Sequence, residues 1–125
     1  MSNSKIIEWV LRIAVAGEFT GHGILALQGK EAWIGWIQQF TGIEIGTAAI
    51  LLTLIGLLDI FVALVALLKP LPLVLLWAAF WGFWTALVRP LVGEPIWDFV
   101  ERWPNWGAPL ALYYLTGRRN KISNR

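Results

Sequence analysis

The chain contains no cysteine in its 125 residues. That absence excludes disulfides, thiolate metal sites, dithiol chemistry within the chain and any cysteine-linked lipid anchor. If the protein serves thiol redox, a partner carries the thiols. Charge is scarce too: Asp, Glu, Lys and Arg make up 14% of the chain, against about a quarter in ordinary soluble domains. Histidine occurs once, as His22. A haem would find one axial ligand and no attachment motif, so haem is not expected. A zinc site takes three or four ligands, and only Glu18, His22 and Asp59 offer themselves, so no metal site is expected either. A Gly-rich phosphate loop, a nucleophile elbow and a metalloprotease helix are all missing, which leaves the chain without a catalytic motif of its own.

What is present is apolar sequence, 58% of all residues. It falls into four runs, about 6–27, 46–68, 71–89 and 104–120, and runs of this kind argue for membrane-spanning helices rather than a buried core. A soluble helical protein needs a polar face, and residues 48–58 have almost none. The expected architecture is one all-α transmembrane domain over residues 1–125. It is an integral membrane four-helix bundle with two short interfacial helices on its outer side. The first run does not read as a cleaved signal peptide. A single Lys5 precedes it, Glu18 and His22 interrupt it, and no small-x-small site follows. The last run is the shortest: residues 105–116 cover only ~18 Å of a ~30 Å core. Its helix must continue into residues 118–121, whose side chains snorkel.

The net charge of +2 hides a sorting. With four spans, Lys5, Lys69, Arg118, Arg119, Lys121 and Arg125 share one side. Lys30 and Arg102 lie on the other, among Glu31, Glu44, Glu94, Asp98 and Glu101. The basic side marks the cytoplasm, placing both termini inside a multi-pass protein of the inner (plasma) membrane. The basic tail then reads as an anchor on anionic lipid, and nucleic acid is not an expected partner. In the first outer connection, Trp33, Trp36, Ile37 and Phe40 recur at helical spacing. They read as an interfacial helix with indoles at headgroup depth, ended by Thr41-Gly42. Lys69-Pro70-Leu71-Pro72 makes a tight turn. Residues 95–103 read as the second interfacial helix, with Pro95 at its first position.

Six ionisable residues, Glu8, Arg12, Glu18, His22, Asp59 and Arg89, lie within the first three apolar runs. Glu18 and His22 are i, i+4 neighbours on one helix face, and Glu8 and Arg12 form a second such pair. If the helices start at one membrane plane, Arg12 lies ~9 Å deep, Asp59 ~14 Å, Glu18 ~18 Å and His22 ~24 Å, with Arg89 near the level of His22. A buried carboxylate such as Asp59 costs at least ~2.5–3.5 kcal/mol in hydrocarbon, so it marks a function or a pairing. The functional reading is a proton path, or a polar site for a quinone headgroup or small solute. The structural one is Arg12–Asp59 and Glu18–His22 pairing that fixes helix register. Trp77, Trp81 and Trp84 share about 60° of arc on the third run. They read as a stacking wall for a flat ligand or as plain packing. Gly17, Gly21 and Gly23 allow close helix approach.

These elements together resemble the DoxX family of small four-helix membrane proteins. The resemblance lies in Leu11-Arg12, in Phe19 through His22-Gly23, in Gly42-Ile43, in Gly56-Leu57-Leu58-Asp59, and in Asn105 with Pro109-Leu110-Ala111-Leu112. Asp59 stands where that family more often has Glu, and the lysine common after His-Gly is displaced to Lys30. The resemblance implies a component of a membrane redox system, quinone- or thiol-linked. The role expected from it is that of an accessory subunit beside a redox protein partner, with Arg12, His22, Asp59 and Asn105 as the site residues the resemblance implies. A small proton or solute transport module, or a purely structural membrane partner, are the alternatives. Self-association is left open.

Overall fold

The computed structural model describes residues 1–123, and side chains through Arg118. Arg119, Lys121 and Arg125 of the basic tail, as side chains, lie outside the described residues. The described residues form six helices in order: α1 (Asn3–Leu27), α2 (Glu31–Thr41), α3 (Ile45–Leu68), α4 (Pro72–Leu91), α5 (Ile96–Val100) and α6 (Pro104–Ser123). Among the described residues there is no strand. Three helices, α1, α3 and α4, are long and apolar enough to cross a membrane. α6 has 20 residues, enough for ~30 Å of rise, and it does continue beyond residue 118. Its polar C-terminal half keeps it from meeting the composition of the other three.

Local chemistry sets the boundaries. Ser2 caps α1 by accepting from the Lys5 N–H at 3.3 Å. Glu44 caps α3, its Oε1 accepting from the Thr47 N–H at 2.8 Å and from the Thr47 hydroxyl at 2.9 Å. Both satisfy N–H groups that the first turn leaves free. Pro72 opens α4, where its missing N–H costs nothing. Gly29 and Gly42 bracket α2 at φ +72° and +73°, a left-handed backbone that glycine adopts freely.

Two sequence boundaries shift. α4 does not stop before Pro90 but carries it in its last turn. Pro95 precedes α5 instead of starting it, and α5 is only five residues long, because turns take over at residues 101–103. Pro104 stands at the start of α6, where proline's fixed φ suits a first turn.

α1 packs most extensively on α3, α4 on α6, and α1 bridges the two pairs through α6, while α3 and α4 touch much less. The core is built largely from small residues, with Val15, Phe19, Val62, Leu75, Ala78 and Leu112 at its centre. Of the three α1 glycines expected to admit a neighbour, Gly23 does so. A Cβ on it would lie 3.0 Å from the Gly56 carbonyl oxygen of α3, whereas Gly17 and Gly21 face open space. Only small residues permit that backbone approach.

Candidate functional site

Residues of α1, α2, α3 and α4 together line a cavity of about 240 Å³. From α1 it receives His22. The amphipathic face of α2 supplies Trp33, Trp36, Ile37 and Phe40. From α3 come Leu51, Leu52, Ile55 and Asp59, and from α4 Trp81, Trp84, Thr85, Val88 and Arg89. The walls are thus apolar and aromatic, with an acid, a base and an imidazole placed among them.

Ring contacts hold α2 in place over the cavity. The His22 and Trp33 rings meet edge-on at 5.7 Å, and Phe40 lies 5.9 Å from Trp84. The Arg89 guanidinium sits 5.3 Å from the centre of the Trp36 ring, within cation–π range. Arg89 also donates to the Thr85 carbonyl at 2.6 Å, and the Thr85 hydroxyl donates to the Trp81 carbonyl at 2.9 Å. That chain braces the α4 wall. Arg89 is 6% exposed and Asp59 2% exposed, so the charged groups belong to the interior and not to the surface.

Polar satisfaction here is incomplete. Asp59 Oδ1, Glu18 Oε2 and Trp33 Nε1 are buried without a hydrogen-bond partner, a condition few buried polar atoms in a folded protein tolerate. Glu18 and Asp59 lie within electrostatic range of one another, and His22 lies in the field of Arg89, Arg102 and Lys30. Glu18 does not line the cavity. Its Oε2 lies behind it, 3.2 Å from where a Cβ on Gly82 would sit. The same missing Cβ admits the Asn105 backbone carbonyl from α6. Pro109 explains that approach, because it has no N–H to offer the carbonyl four residues back. Asn105 therefore enters the site region through its backbone, at the α4–α6 crossing.

Several sequence expectations are corrected by this geometry. Arg12 does not pair with Asp59. It reaches Glu8 at 3.8 Å and donates to the carbonyls of Ala66, at 3.2 Å, and Leu67. Those carbonyls belong to the last turn of α3, which has no intrahelical donors for them. Among the described residues no ion pair joins Glu18 to His22. Asp59 is not at a depth between Arg12 and Glu18. With Gly23 set against Gly56, Asp59 comes opposite Thr20, between Glu18 and His22. The tryptophan wall divides as well: Trp81 and Trp84 line the cavity, and Trp77 lies beyond it. Trp33, Trp36, Ile37 and Phe40, read from sequence as an interfacial face, also line the cavity. Their helical spacing was the signal, but spacing alone does not say what a face meets.

Comparisons of the chain with family models, with curated proteins and with solved structures returned no match.

Proposed function

We propose that the chain is a DoxX-like integral membrane protein, a four-helix bundle of α1, α3, α4 and α6 with both termini on the cytoplasmic side of the plasma membrane. Within it, the cavity beneath α2 holds the ring of a quinone, and the protein acts as an accessory subunit of a membrane redox system. The observation that carries this reading is the cavity itself, an apolar and aromatic space with Asp59, Arg89 and His22 converging on it. Its 240 Å³ exceeds the ~150 Å³ that takes a benzene. It falls short of the ~300–1,000 Å³ of drug-sized sites. One substituted ring fits that interval.

The unsatisfied atoms fit the chemistry of such a ring. A quinone presents two carbonyl acceptors, and the cavity offers Arg89, the His22 imidazole and the Trp33 indole N–H as donors. The reduced quinol presents two hydroxyl donors, and Asp59 is a buried acceptor without a partner. Trp81 and Trp84 supply flat faces for stacking. A bound quinone would supply two-electron carrier chemistry. The chain's own part is to orient the ring, exclude water and leave electron exchange to a partner protein. A proton-conducting file is less well supported, because Arg12 is committed to the α3 carbonyls and does not extend the polar path toward Lys5 and the N-terminus.

Titration of the protein in nanodiscs with a substituted benzoquinone, followed by quenching of indole fluorescence, tests the reading. Saturable one-to-one quenching is expected, with affinity lowered about tenfold, or ~1.4 kcal/mol, by Trp84→Ala. Quenching that never saturates, or that ignores both Trp84→Ala and Trp36→Ala, overturns it.

A further inference from the structure

A second cleft of about 270 Å³ lies between α3 and α4 on the Lys69 side of the cavity, lined by Leu58, Phe61, Val62, Leu73, Val74 and Trp77. The two spaces are consecutive on both walls. On α3, Asp59 lines the first and its neighbour Leu58 the second. On α4, Trp81 lines the first and Trp77 the second, and these two indoles stack at 5.4 Å with planes 16° apart. One stacked indole pair thus borders both spaces. The polarity changes sharply between them. His22, Asp59 and Arg89 line the first space, and no titratable group lines the second. The second cleft is also open sideways, since Phe61 and Leu73 are 54% and 80% exposed.

We propose that the second cleft is a tail channel, and that the ligand is a ring-headed amphiphile with a long polyprenyl tail. Its ring lies under α2 and its tail runs down the α3–α4 slit to the bilayer. The inference rests on the ring-binding reading above and sharpens it: a water-soluble ring-only compound is not the natural occupant. The polar end of the slit suits the head and the apolar end suits only hydrocarbon. A tail gains little by leaving lipid for protein, because lipid chains are as apolar as the cleft. The channel therefore contributes position. It sets which end of the ligand meets Asp59 and Arg89, and it provides a lateral way in that leaves α2 seated on its ring contacts.

The test uses a polyprenyl benzoquinone carrying a diazirine on its tail, photolysed with the full chain in phospholipid nanodiscs and mapped by peptide mass spectrometry. Labelling is expected at Phe61, Val74 or Trp77, displaced at least tenfold by excess tailless benzoquinone. The substitution Val74→Trp, which fills the cleft, should abolish that labelling while the tailless ring still quenches indole fluorescence. Labelling confined to the outward side chains of Ile50 and Leu54 would overturn the channel, and so would labelling that survives competition. Equal labelling of the cleft by a diazirine phospholipid, undisplaced by the quinone, would make it a lipid groove and overturn it too. In each of these cases saturable quenching by the tailless ring leaves the ring site standing. Absence of that quenching removes the ring site itself.

Discussion

Arg12 and Asp59 lie on adjacent helices, both shielded from solvent, yet their surroundings obey different rules. Arg12 is enclosed by protein. Glu8 lies one turn back on α1, and the free carbonyls of Ala66 and Leu67 close the other side. A guanidinium at a helix C-terminus also meets the negative end of that helix. Asp59, a little under two turns before Ala66 along α3, faces a cavity and leaves Oδ1 without a partner. Nothing in the fold completes it. Buried polar groups cost free energy unless bonded, so a cluster that closes on itself serves the fold. On the proposed reading, one left open at a cavity wall serves whatever enters the cavity, and that difference separates the two readings of these charges that their sequence positions leave equal.

The largest effect should come from breaking the closed cluster. Arg12→Leu removes the cation from Glu8, which is 2% exposed, and strips the donors from two helix-end carbonyls. Loss of one partner of a buried pair costs about 3–5 kcal/mol. Thermal unfolding in detergent should fall steeply, while quinone affinity per folded molecule stays unchanged, and Glu8→Leu added to Arg12→Leu should recover part of the loss. If Arg12→Leu unfolds normally but loses ligand, the assignment of the two clusters is reversed.

Next in size is the support behind the open cluster. A Cβ at Gly82 would collide with the Asn105 backbone and crowd Glu18 Oε2. Backbone cannot move aside as a side-chain tip can, so Gly82→Ala should separate α4 from α6 at a cost of about 1–3 kcal/mol. Gly17→Ala is the control, having open space around it. Equal melting temperatures for the two variants would show that the crossing is loose enough to absorb a methyl group.

Asp59→Asn should act in the opposite sense from Arg12→Leu. It removes a buried carboxylate that has no partner, so stability should hold or rise. Ring affinity should drop about fivefold, the ~1 kcal/mol of one hydrogen bond, with the quinol affected more than the quinone. A stability loss larger than the affinity loss would place Asp59 with Arg12 among the groups that serve the fold.

The sequence displays the long helices well, because three of them are apolar on nearly every face and end at Pro or Gly. The site is only half legible. His22, Asp59, Arg89, Trp81 and Trp84 stand out as polar or aromatic residues inside apolar runs, and the cavity gathers all five. Arg12 stands out by the same rule and belongs elsewhere, because its acceptors are backbone carbonyls, which every helix end possesses. The depth ladder fails for a related reason. Register between α1 and α3 follows from Gly23 meeting Gly56, not from a common starting plane. The walls supplied by α2 are hidden because an apolar face at helical spacing looks the same against lipid as against a cavity.

That ambiguity makes α2 the place for the smallest and most local test. None of its residues is fully buried, and it is held by the ring contacts of Trp33, Trp36 and Phe40. Its C-terminal turn closes through Gly42, whose N–H donates to the Gln38 carbonyl at 2.8 Å with φ at +73°. A Cβ at that position meets no neighbouring atom, so the whole penalty of Gly42→Ala is conformational, about 1 kcal/mol. If α2 is a cavity wall, that penalty should loosen α2 alone. Amide exchange should quicken across residues 31–41, and quinone should dissociate about fivefold faster, the same ~1 kcal/mol read as a rate, while α1, α3 and α4 keep their protection. If α2 instead only rests on headgroups, its exchange will quicken without any change in ligand release. The contrast between an enclosed site and a lipid-facing belt is then decided by one glycine.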